Sequence, residues 1–146
     1  MSAFDCVIVG GGIVGAVLAE TLSTEGLSVA LVEARSIGTA TTACGMGHLV
    51  AMDDNAAELA LTAYSVSLWR QLAQGLPRTV EYDACGTLWL AADDEEMAAV
   101  SAKVANYRAA GVRAEVLDAA ALYEAEPSLA PGLVGALRVP DDAVLY

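Results

Sequence analysis

A glycine-rich segment near the start of the chain constrains the fold more than any other feature. Residues 10–15 read GGGIVG. The apolar, β-branched residues 5–9 before them predict a short buried strand. Residues 13–25 after them carry apolar side chains at helical spacing and are followed by Gly26, which predicts a helix that ends there. With a second strand predicted at residues 28–33, the order is that of a βαβ unit. This predicts an α/β fold with parallel strands.

The glycine run matches the pattern G-x-G-x-x-G, and a preceding strand and a following helix are the context in which that pattern binds a dinucleotide. Gly10 permits the tight turn, Gly12 lets a pyrophosphate approach the backbone, and Gly15 lets the helix pack closely on the strand. The N–H groups at the start of the helix bind the phosphate charge, so no lysine is required. The alternative interpretation is a tight turn without a ligand.

Glu33 supplies the second part of this signature. It closes the second predicted strand, 23 positions after Gly10, near the place where dinucleotide-binding folds carry an acidic residue. A carboxylate there accepts hydrogen bonds from the ribose hydroxyls and repels a 2′-phosphate, so a ligand of the NADP type is disfavoured. Because NAD and FAD share an ADP half, these residues leave both ligands open. Without a ligand, Glu33 would be a solvated strand end.

Residues 34–54 show no clear periodicity, which predicts a long loop with a helical turn around residues 41–47. Loops of this length inside compact domains are often functional. Residues 39–48 offer hydroxyl groups for a pyrophosphate or ribityl chain, and their small residues allow the backbone to contact a flat ring. This loop therefore favours FAD over NAD.

Composition excludes several other classes of protein. The net charge is −12, from 19 acidic and 7 basic residues, which repels nucleic acid and anionic lipid. The cysteines Cys6, Cys44 and Cys85 form no C-x-x-C pair and there is a single histidine, so no metal site is predicted. We expect a reduced, cytoplasmic setting. The apolar start has no positive n-region and is bounded by Asp5 and Glu20, so neither a signal peptide nor a membrane-spanning helix is predicted.

The remainder of the chain alternates between helical and extended patterns. The predicted elements are helix 55–74, strands 79–82 and 87–91, helix 93–109, strand 112–117, helix 118–125 and strand 133–139. Asn55 is the predicted cap of the first of these helices. Two apolar stripes at helical spacing are predicted to face a core: Leu61, Tyr64, Leu68 and Leu72 in the first helix, and Met97, Val100, Val104 and Tyr107 in the second.

Four segments resemble, in order, the amino-terminal part of the flavin-dependent D-amino-acid oxidase superfamily: DCVIVGGGIVGAVLAETLSTEGLSVALVE, TTACGMGHL, YDACGTLWLA and LYEAEPSLAPGLVGALRVPDDA. The most similar branch contains glycine oxidase, sarcosine oxidase and the flavin subunits of amino-acid dehydrogenases such as hydrogen cyanide synthase, opine dehydrogenase and D-hydroxyproline dehydrogenase. The resemblance covers nearly the whole chain. Because members of the family are longer, it implies that this chain is the front part of a larger protein.

The resemblance implies a set of FAD contacts. Those to the adenine dinucleotide fall at Gly10, Gly12, Ile13, Val14, Gly15, Glu33 and Ala34, and those to the pyrophosphate, ribityl chain or ring fall at Thr41, Thr42, Gly45, Met46, Gly47 and His48. His48 would be a loop histidine hydrogen-bonded near the flavin, or else a general base or a covalent flavin link. No residue is identified as catalytic.

The resemblance also implies a domain layout and an activity. Residues 1–78 would form the first part of a Rossmann-like FAD-binding domain, and residues 79–146 would begin a substrate domain. The implied activity is oxidation of the C–N bond of an amino acid or N-substituted amino acid, with the flavin taking the hydride. Partner subunits that accept electrons are also implied. An NAD-dependent dehydrogenase and a non-catalytic flavoprotein fragment remain as alternatives.

Overall fold

The computed structural model describes residues 3–53 and 55–146, which form two compact units, Met1–Met46 and Gly47–Tyr146. Among the helices of these described residues, none is long and apolar enough to cross a membrane. The units divide the chain earlier than the predicted boundary at residue 78. That boundary concerns functional domains rather than compactness, so it stays a prediction.

The first unit is the predicted βαβ unit. Its elements are strand β1 (Cys6–Val9), helix α1 (Ile13–Thr24), strand β2 (Val29–Val32) and the short helix α2 (Thr41–Cys44). β1 and β2 pair in parallel, and the inward side chain of Ile8 is buried. Helix α1 is the crossover between the two parallel strands and contacts both of them. The α/β class and the Rossmann-like start of the fold are confirmed.

Helix α1 ends at the predicted glycine. Gly26 has a φ of +86°, a conformation in which a side chain would be strained. The N–H of Leu27 donates to the carbonyl of Leu22 at 3.1 Å, and the N–H of Gly26 donates to the carbonyl of Ser23 at 3.0 Å. These bonds satisfy carbonyl groups that the end of a helix otherwise leaves free.

The second unit is built around an antiparallel sheet. Its elements are β3 (His48–Leu49), α3 (Ala56–Ala73), a 3-10 helix (Arg78–Val80), β4 (Thr87–Ala91), α4 (Asp94–Ala109), β5 (Glu115–Asp118), α5 (Ala119–Ala125), β6 (Gly135–Val139) and β7 (Ala143–Val144). The three main strands lie in the order β4-β6-β5. The two-residue strands β3 and β7 pair with each other, with His48 opposite Val144.

The core of the second unit lies between the central strand β6 and helix α4. Leu137 and Val139 of β6 are fully buried, and so is Tyr107 of α4. Val100 and Val104 are buried on the same face of α4, which confirms the predicted stripe on this helix. Asp93 caps the helix by accepting a hydrogen bond from the N–H of Glu96 at 2.9 Å.

Two strand predictions in this unit are corrected. Residues 79–82 do not form a strand, because Pro77 begins a 3-10 turn and Glu81 has a φ of +48°, which interrupts an extended backbone. The strand predicted at residues 112–117 lies at Glu115–Asp118 instead. Val112 still donates its N–H to the carbonyl of Tyr107 at 2.9 Å, so the end of α4 uses the residues that would have opened the strand.

The stripe predicted for the core face of α3 is also wrong. Leu61 and Tyr64 are 68% and 63% exposed, and Leu68 and Leu72 are exposed as well. The buried residues of α3 are Leu59 and Val66. Apolar residues lie on more than one side of this helix, so periodicity alone does not decide which side packs inward.

Candidate functional site

The glycine turn of the first unit joins β1 to α1 and is tied to β2. Gly10 has a φ of +110°, and its N–H donates to the carbonyl of Val32 at 2.8 Å. The carbonyl of Gly11 accepts a bond from the N–H of Gly38 at 2.8 Å. The turn is therefore fixed by backbone bonds to β2 and to the loop that follows β2.

Gly15 allows α1 to lie directly against this turn. A Cβ atom at position 15 would overlap the carbonyl oxygen of Gly10 and approach the Cγ2 atom of Ile8 to 3.4 Å. A Cβ at Gly12 would lie 3.1 Å from the Oγ1 atom of Thr42. Both glycines thus keep open the space that the sequence motif predicts, one for helix packing and one beside the start of the helix.

The N-terminus of α1 presents backbone N–H groups to this space. Gly12 is the cap residue and has no side chain to satisfy them. The hydroxyl of Thr42, 29 positions further along the chain, accepts a hydrogen bond from the N–H of Ile13 at 3.0 Å. The other N–H groups of the first turn have no partner inside the helix, and they carry the positive end of the helix dipole. This arrangement suits a phosphate group.

The carboxylate of Glu33 is held in place at the end of β2. Its Oε2 atom accepts a hydrogen bond from the N–H of Gly11 at 2.7 Å, and its Oε1 atom accepts one from the N–H of Arg35 at 2.8 Å. These two bonds, that from Gly11 first, lower the pKa of Glu33 below its usual value. The group is therefore ionised at neutral pH. Each oxygen keeps further capacity to accept a bond from a hydroxyl group.

These groups together fit the ADP half of a dinucleotide. The start of α1 can hold a pyrophosphate, and the oriented Glu33 carboxylate can accept the hydroxyls of a ribose. The fit depends on backbone groups and on space that a Cβ at the glycines would fill, so it does not require a basic side chain. The first unit therefore carries a candidate dinucleotide-binding site on a Rossmann-like βαβ unit.

The structure gathers only some of the predicted contact residues in this cradle. It brings together Gly10, Gly12, Ile13, Gly15, Glu33 and Thr42. Val14 is 80% exposed on α1 and Met46 is 75% exposed. Ala34 follows Glu33 on the surface, Thr41 opens α2, and Gly45 follows it. The contacts of all these residues with FAD stay predictions.

Gly47 and His48 lie in the second unit. Gly47 has a φ of +69°, and a Cβ there would overlap the carbonyl oxygen of Leu145. Its own carbonyl accepts a bond from the N–H of Leu145 at 3.0 Å. His48 is exposed at the start of β3. The glycine is thus required by close backbone packing, and the predicted flavin contacts of both residues stay predictions.

Sequence reasoning missed the role of Gly11 as a donor to Glu33. A Cβ at this position would lie 3.2 Å from that of Glu33 and 3.3 Å from side-chain atoms of Leu31 and Ile37. The middle glycine of GGG was the available signal, because the motif itself requires only the first and last of the three. Gly11 therefore serves the orientation of the carboxylate rather than the turn.

The family of the chain follows from comparison with known proteins. A family model described as FAD dependent oxidoreductase (DAO) matches residues 5–146. The chain therefore belongs to the FAD dependent oxidoreductase family, and the resemblance drawn from its four segments is confirmed. The expectation of FAD as the cofactor is confirmed with it.

Solved structures and a curated relative agree with this assignment. Glycine oxidase from Bacillus cereus superposes with a TM-score of 0.82 at 26% identity, over 98% of this chain and 40% of that chain. L-proline dehydrogenase from P. horikoshii gives a TM-score of 0.83 at 27% identity, over 99% and 38%. A subunit of the anaerobic glycerol-3-phosphate dehydrogenase from Escherichia coli is 29% identical over 140 residues.

The chain spans only part of the length of these proteins. The match to the glycerol-3-phosphate dehydrogenase subunit includes 96% of this chain but 26% of the length of that relative. The chain corresponds to the amino-terminal part of an FAD-binding fold, as its four family-like segments imply.

Proposed function

We propose that this chain is the ADP-binding part of an FAD-dependent oxidoreductase that oxidises the C–N bond of an amino acid or N-substituted amino acid. The observation that carries the proposal is the pairing of the open start of α1 with the fixed carboxylate of Glu33. The substrate class is supported by the similarity to a glycine oxidase and an L-proline dehydrogenase.

The chain's own residues bind and orient the cofactor in this proposal. The first-turn N–H groups of α1 hold the pyrophosphate, and the Thr42 hydroxyl stands beside them because it is already bonded to Ile13. Glu33 accepts the ribose hydroxyls and disfavours a 2′-phosphate by charge repulsion. When bound, FAD supplies a two-electron acceptor for a hydride, and the protein contributes binding, orientation and electrostatics.

The overall reaction balances as a two-electron oxidation. The amino acid loses a hydride from the α-carbon and a proton from the nitrogen, which leaves a C=N bond. Water then adds to this imine, and the C–N bond breaks to give a carbonyl compound and ammonia or an amine. The described residues include none that we assign to proton transfer from the substrate.

The proposal is tested on the purified full-length protein, reconstituted with FAD. We expect a yellow protein that retains FAD through gel filtration and loses its visible flavin absorbance when an amino-acid substrate is added without oxygen. A panel of glycine, proline, sarcosine and D-amino acids would identify the class. Absence of retained flavin, or retained flavin that no amino acid reduces, would refute the proposal.

A second candidate is oxidation of a C–OH bond in a polyol phosphate. It is supported by the 29% identity to a glycerol-3-phosphate dehydrogenase subunit. Adding glycerol 3-phosphate to the same bleaching assay separates the two, since only one substrate class should reduce the flavin. The name of that relative denotes one subunit of an enzyme, which supports our proposal that the electrons pass to a partner subunit.

An NAD-dependent dehydrogenase and a non-catalytic fragment are distinguished by the same preparation. NAD would replace FAD only if the purified protein bound NAD and retained no flavin. A non-catalytic fragment would bind FAD but turn over no substrate. We also propose a domain layout with residues 1–78 in the FAD domain and residues 79–146 opening the substrate domain, in a cytoplasmic protein.

A further inference from the structure

The backbone of Ala51 is held on both sides by buried side chains that are far away in sequence. Its N–H donates to Oδ1 of Asp142 at 3.0 Å, and its carbonyl accepts a bond from the hydroxyl of Tyr107 at 2.9 Å. Ala51 and Asp142 are each 1% exposed, and Tyr107 is 0% exposed. A short segment between β3 and α3 is thereby fixed to the core of the second unit.

The two residues after Ala51 are held as well. The hydroxyl of Thr62 on α3 accepts a bond from the N–H of Met52 at 3.0 Å. Lys103 on α4 forms an ion pair with Asp53, and its ammonium group lies 5.3 Å from the ring centre of Trp89. Three consecutive residues are therefore bonded to α3, α4 and the turn before β7. We call residues 51–53 the anchored segment.

Stability alone explains this arrangement poorly, because burying a carboxylate is destabilising in itself. Burial raises the pKa of Asp142 above its usual value, although the N–H of Ala51 and the nearby Thr87 hydroxyl offset part of that effect. The Oδ2 atom is buried and has no hydrogen bond from the described residues. Well-packed apolar residues often stabilise a core as well as buried charged groups do. A role in positioning the backbone of Ala51 explains why a carboxylate is buried here.

The anchored segment begins three residues after His48. β3, which carries His48, pairs with β7 directly after the Asp142 turn. Gly47 is bonded to Leu145, which directly follows β7. The positions of Gly47 and His48 therefore depend on the strand pair and on the bonds that hold the chain just beyond it.

We infer that Tyr107 and Asp142 are positioning residues that act through Ala51 to hold Gly47 and His48 in the conformation that receives FAD. The inference rests on the proposed function and on the predicted contacts of Gly47 and His48 with FAD. Both side chains are buried in the second unit, so we assign them no direct contact with the substrate. Their effect is to lower the ordering that Gly47 and His48 must undergo when FAD binds, since a preorganised site binds more tightly.

The test replaces Tyr107 by Phe and uses Tyr123→Phe as the matched control. The Tyr123 hydroxyl also bonds to backbone, since it donates to the carbonyl of Ala130 at 2.9 Å and accepts from the N–H of Leu133 at 3.1 Å. Each variant therefore loses one tyrosine hydroxyl and its backbone bonds. We expect Tyr107→Phe to raise the Kd for FAD roughly tenfold, and Tyr123→Phe to leave it unchanged.

Hydrogen exchange of the ligand-free protein gives a readout that is independent of activity. In Tyr107→Phe we expect faster exchange at the amides of residues 47–52 and unchanged exchange in β5. A thermal melt of each variant confirms that it is folded. If Tyr107→Phe does not fold, Lys103→Gln removes the ion pair to Asp53 from a partly exposed position, and faster exchange in the anchored segment with weaker FAD binding is expected there too.

The outcomes separate this inference from the proposed function. A wild-type protein that retains no FAD overturns both. A wild-type protein that binds FAD, with equal Kd values in Tyr107→Phe and Tyr123→Phe, overturns only the positioning role. Equal exchange rates at residues 47–52 in the wild type and the variant would overturn it as well.

Discussion

Replacing Gly15 by Ala tests whether α1 packs directly against the glycine turn. Gly15 lies in the first turn of α1. In an unobstructed helix, Ala is favoured over Gly by about 1 kcal/mol. Propensity alone therefore predicts that Gly15→Ala stabilises the protein. The structure predicts the opposite sign, because the added Cβ would overlap the carbonyl oxygen of Gly10 and lie 3.1 Å from its carbonyl carbon.

The size of the effect follows from how little the neighbouring atoms can move. Gly10 is part of the backbone, and its N–H is bonded to Val32 at 2.8 Å. Overpacking a well-ordered site costs about 1–3 kcal/mol. Because the overlap is with backbone, the upper end of that range applies. Subtracting a propensity gain of about 1 kcal/mol leaves a net loss of about 2 kcal/mol.

The assay must report on the first unit. Both tryptophans, Trp69 and Trp89, belong to the second unit, so tryptophan fluorescence would follow the wrong part of the chain. Hydrogen exchange at the amides of α1 and β1 measures the local free energy of opening directly. We expect it to fall in Gly15→Ala, with weaker FAD binding because the turn must shift.

Gly75→Ala is the matched control, since a Cβ at that position meets the Leu72 carbonyl oxygen at 3.7 Å, an ordinary contact. We expect its stability to stay within about 0.5 kcal/mol of the wild type. If Gly15→Ala were as stable as the wild type or more so, close packing of α1 on the glycine turn would be refuted.

Three further changes have definite expected outcomes. Glu33→Gln should raise the Kd for FAD, measured by fluorescence titration, while Glu25→Gln should not; equal values would remove Glu33 from the site. Asp142→Asn should weaken the dependence of stability on pH. In the wild type the folded-state pKa of Asp142 is raised above 3.8, so the free energy of unfolding falls as the pH rises from there through the folded-state pKa. Urea unfolding at a series of pH values from 4 upward measures this. The prediction is contradicted if the free energy of unfolding changes with pH equally in the variant and the wild type. Asn55→Ala removes the acceptor for the N–H of Glu58 at 3.0 Å and should destabilise α3 by about 1 kcal/mol, whereas Asn106→Ala should not; equal unfolding midpoints would contradict the capping role.

The first unit could be predicted from sequence because its determinants are local. The strand, turn and helix around GGGIVG are specified by residues within one or two turns of each other, and Gly26 ends α1 through its own backbone conformation. Glu33 was predictable because its distance from the glycines is set by the length of the βαβ unit. In the second unit, α4 was predictable because its capping residue and its apolar stripe indicate the same helix.

The failures in the second unit have a common cause in long-range packing. β3 and β7 are two residues each and pair across 94 or more positions of sequence, with Leu49 opposite Ala143. No local sequence pattern predicts such a pair of strands. The exposed stripe of α3 failed for a related reason, since the side of the helix that packs inward is decided by partners distant in sequence. The hydrogen bonds of Tyr107 and Asp142 to Ala51 span 56 and 91 positions.

The cradle in the first unit explains how a strongly acidic chain can bind an anionic dinucleotide. The chain carries 19 acidic and 7 basic residues, so its overall field repels phosphate. At short range, the N–H groups and dipole of α1 supply the opposing attraction. The N–H groups of Gly11 and Arg35 donate to the Glu33 carboxylate and offset part of its charge, and in the proposed function this carboxylate accepts the ribose hydroxyls. Thr42 is likewise oriented by its bond to Ile13. Because both side chains are already ordered by bonds within the protein, the proposed binding would not require their ordering, and it would depend on geometry rather than on net charge.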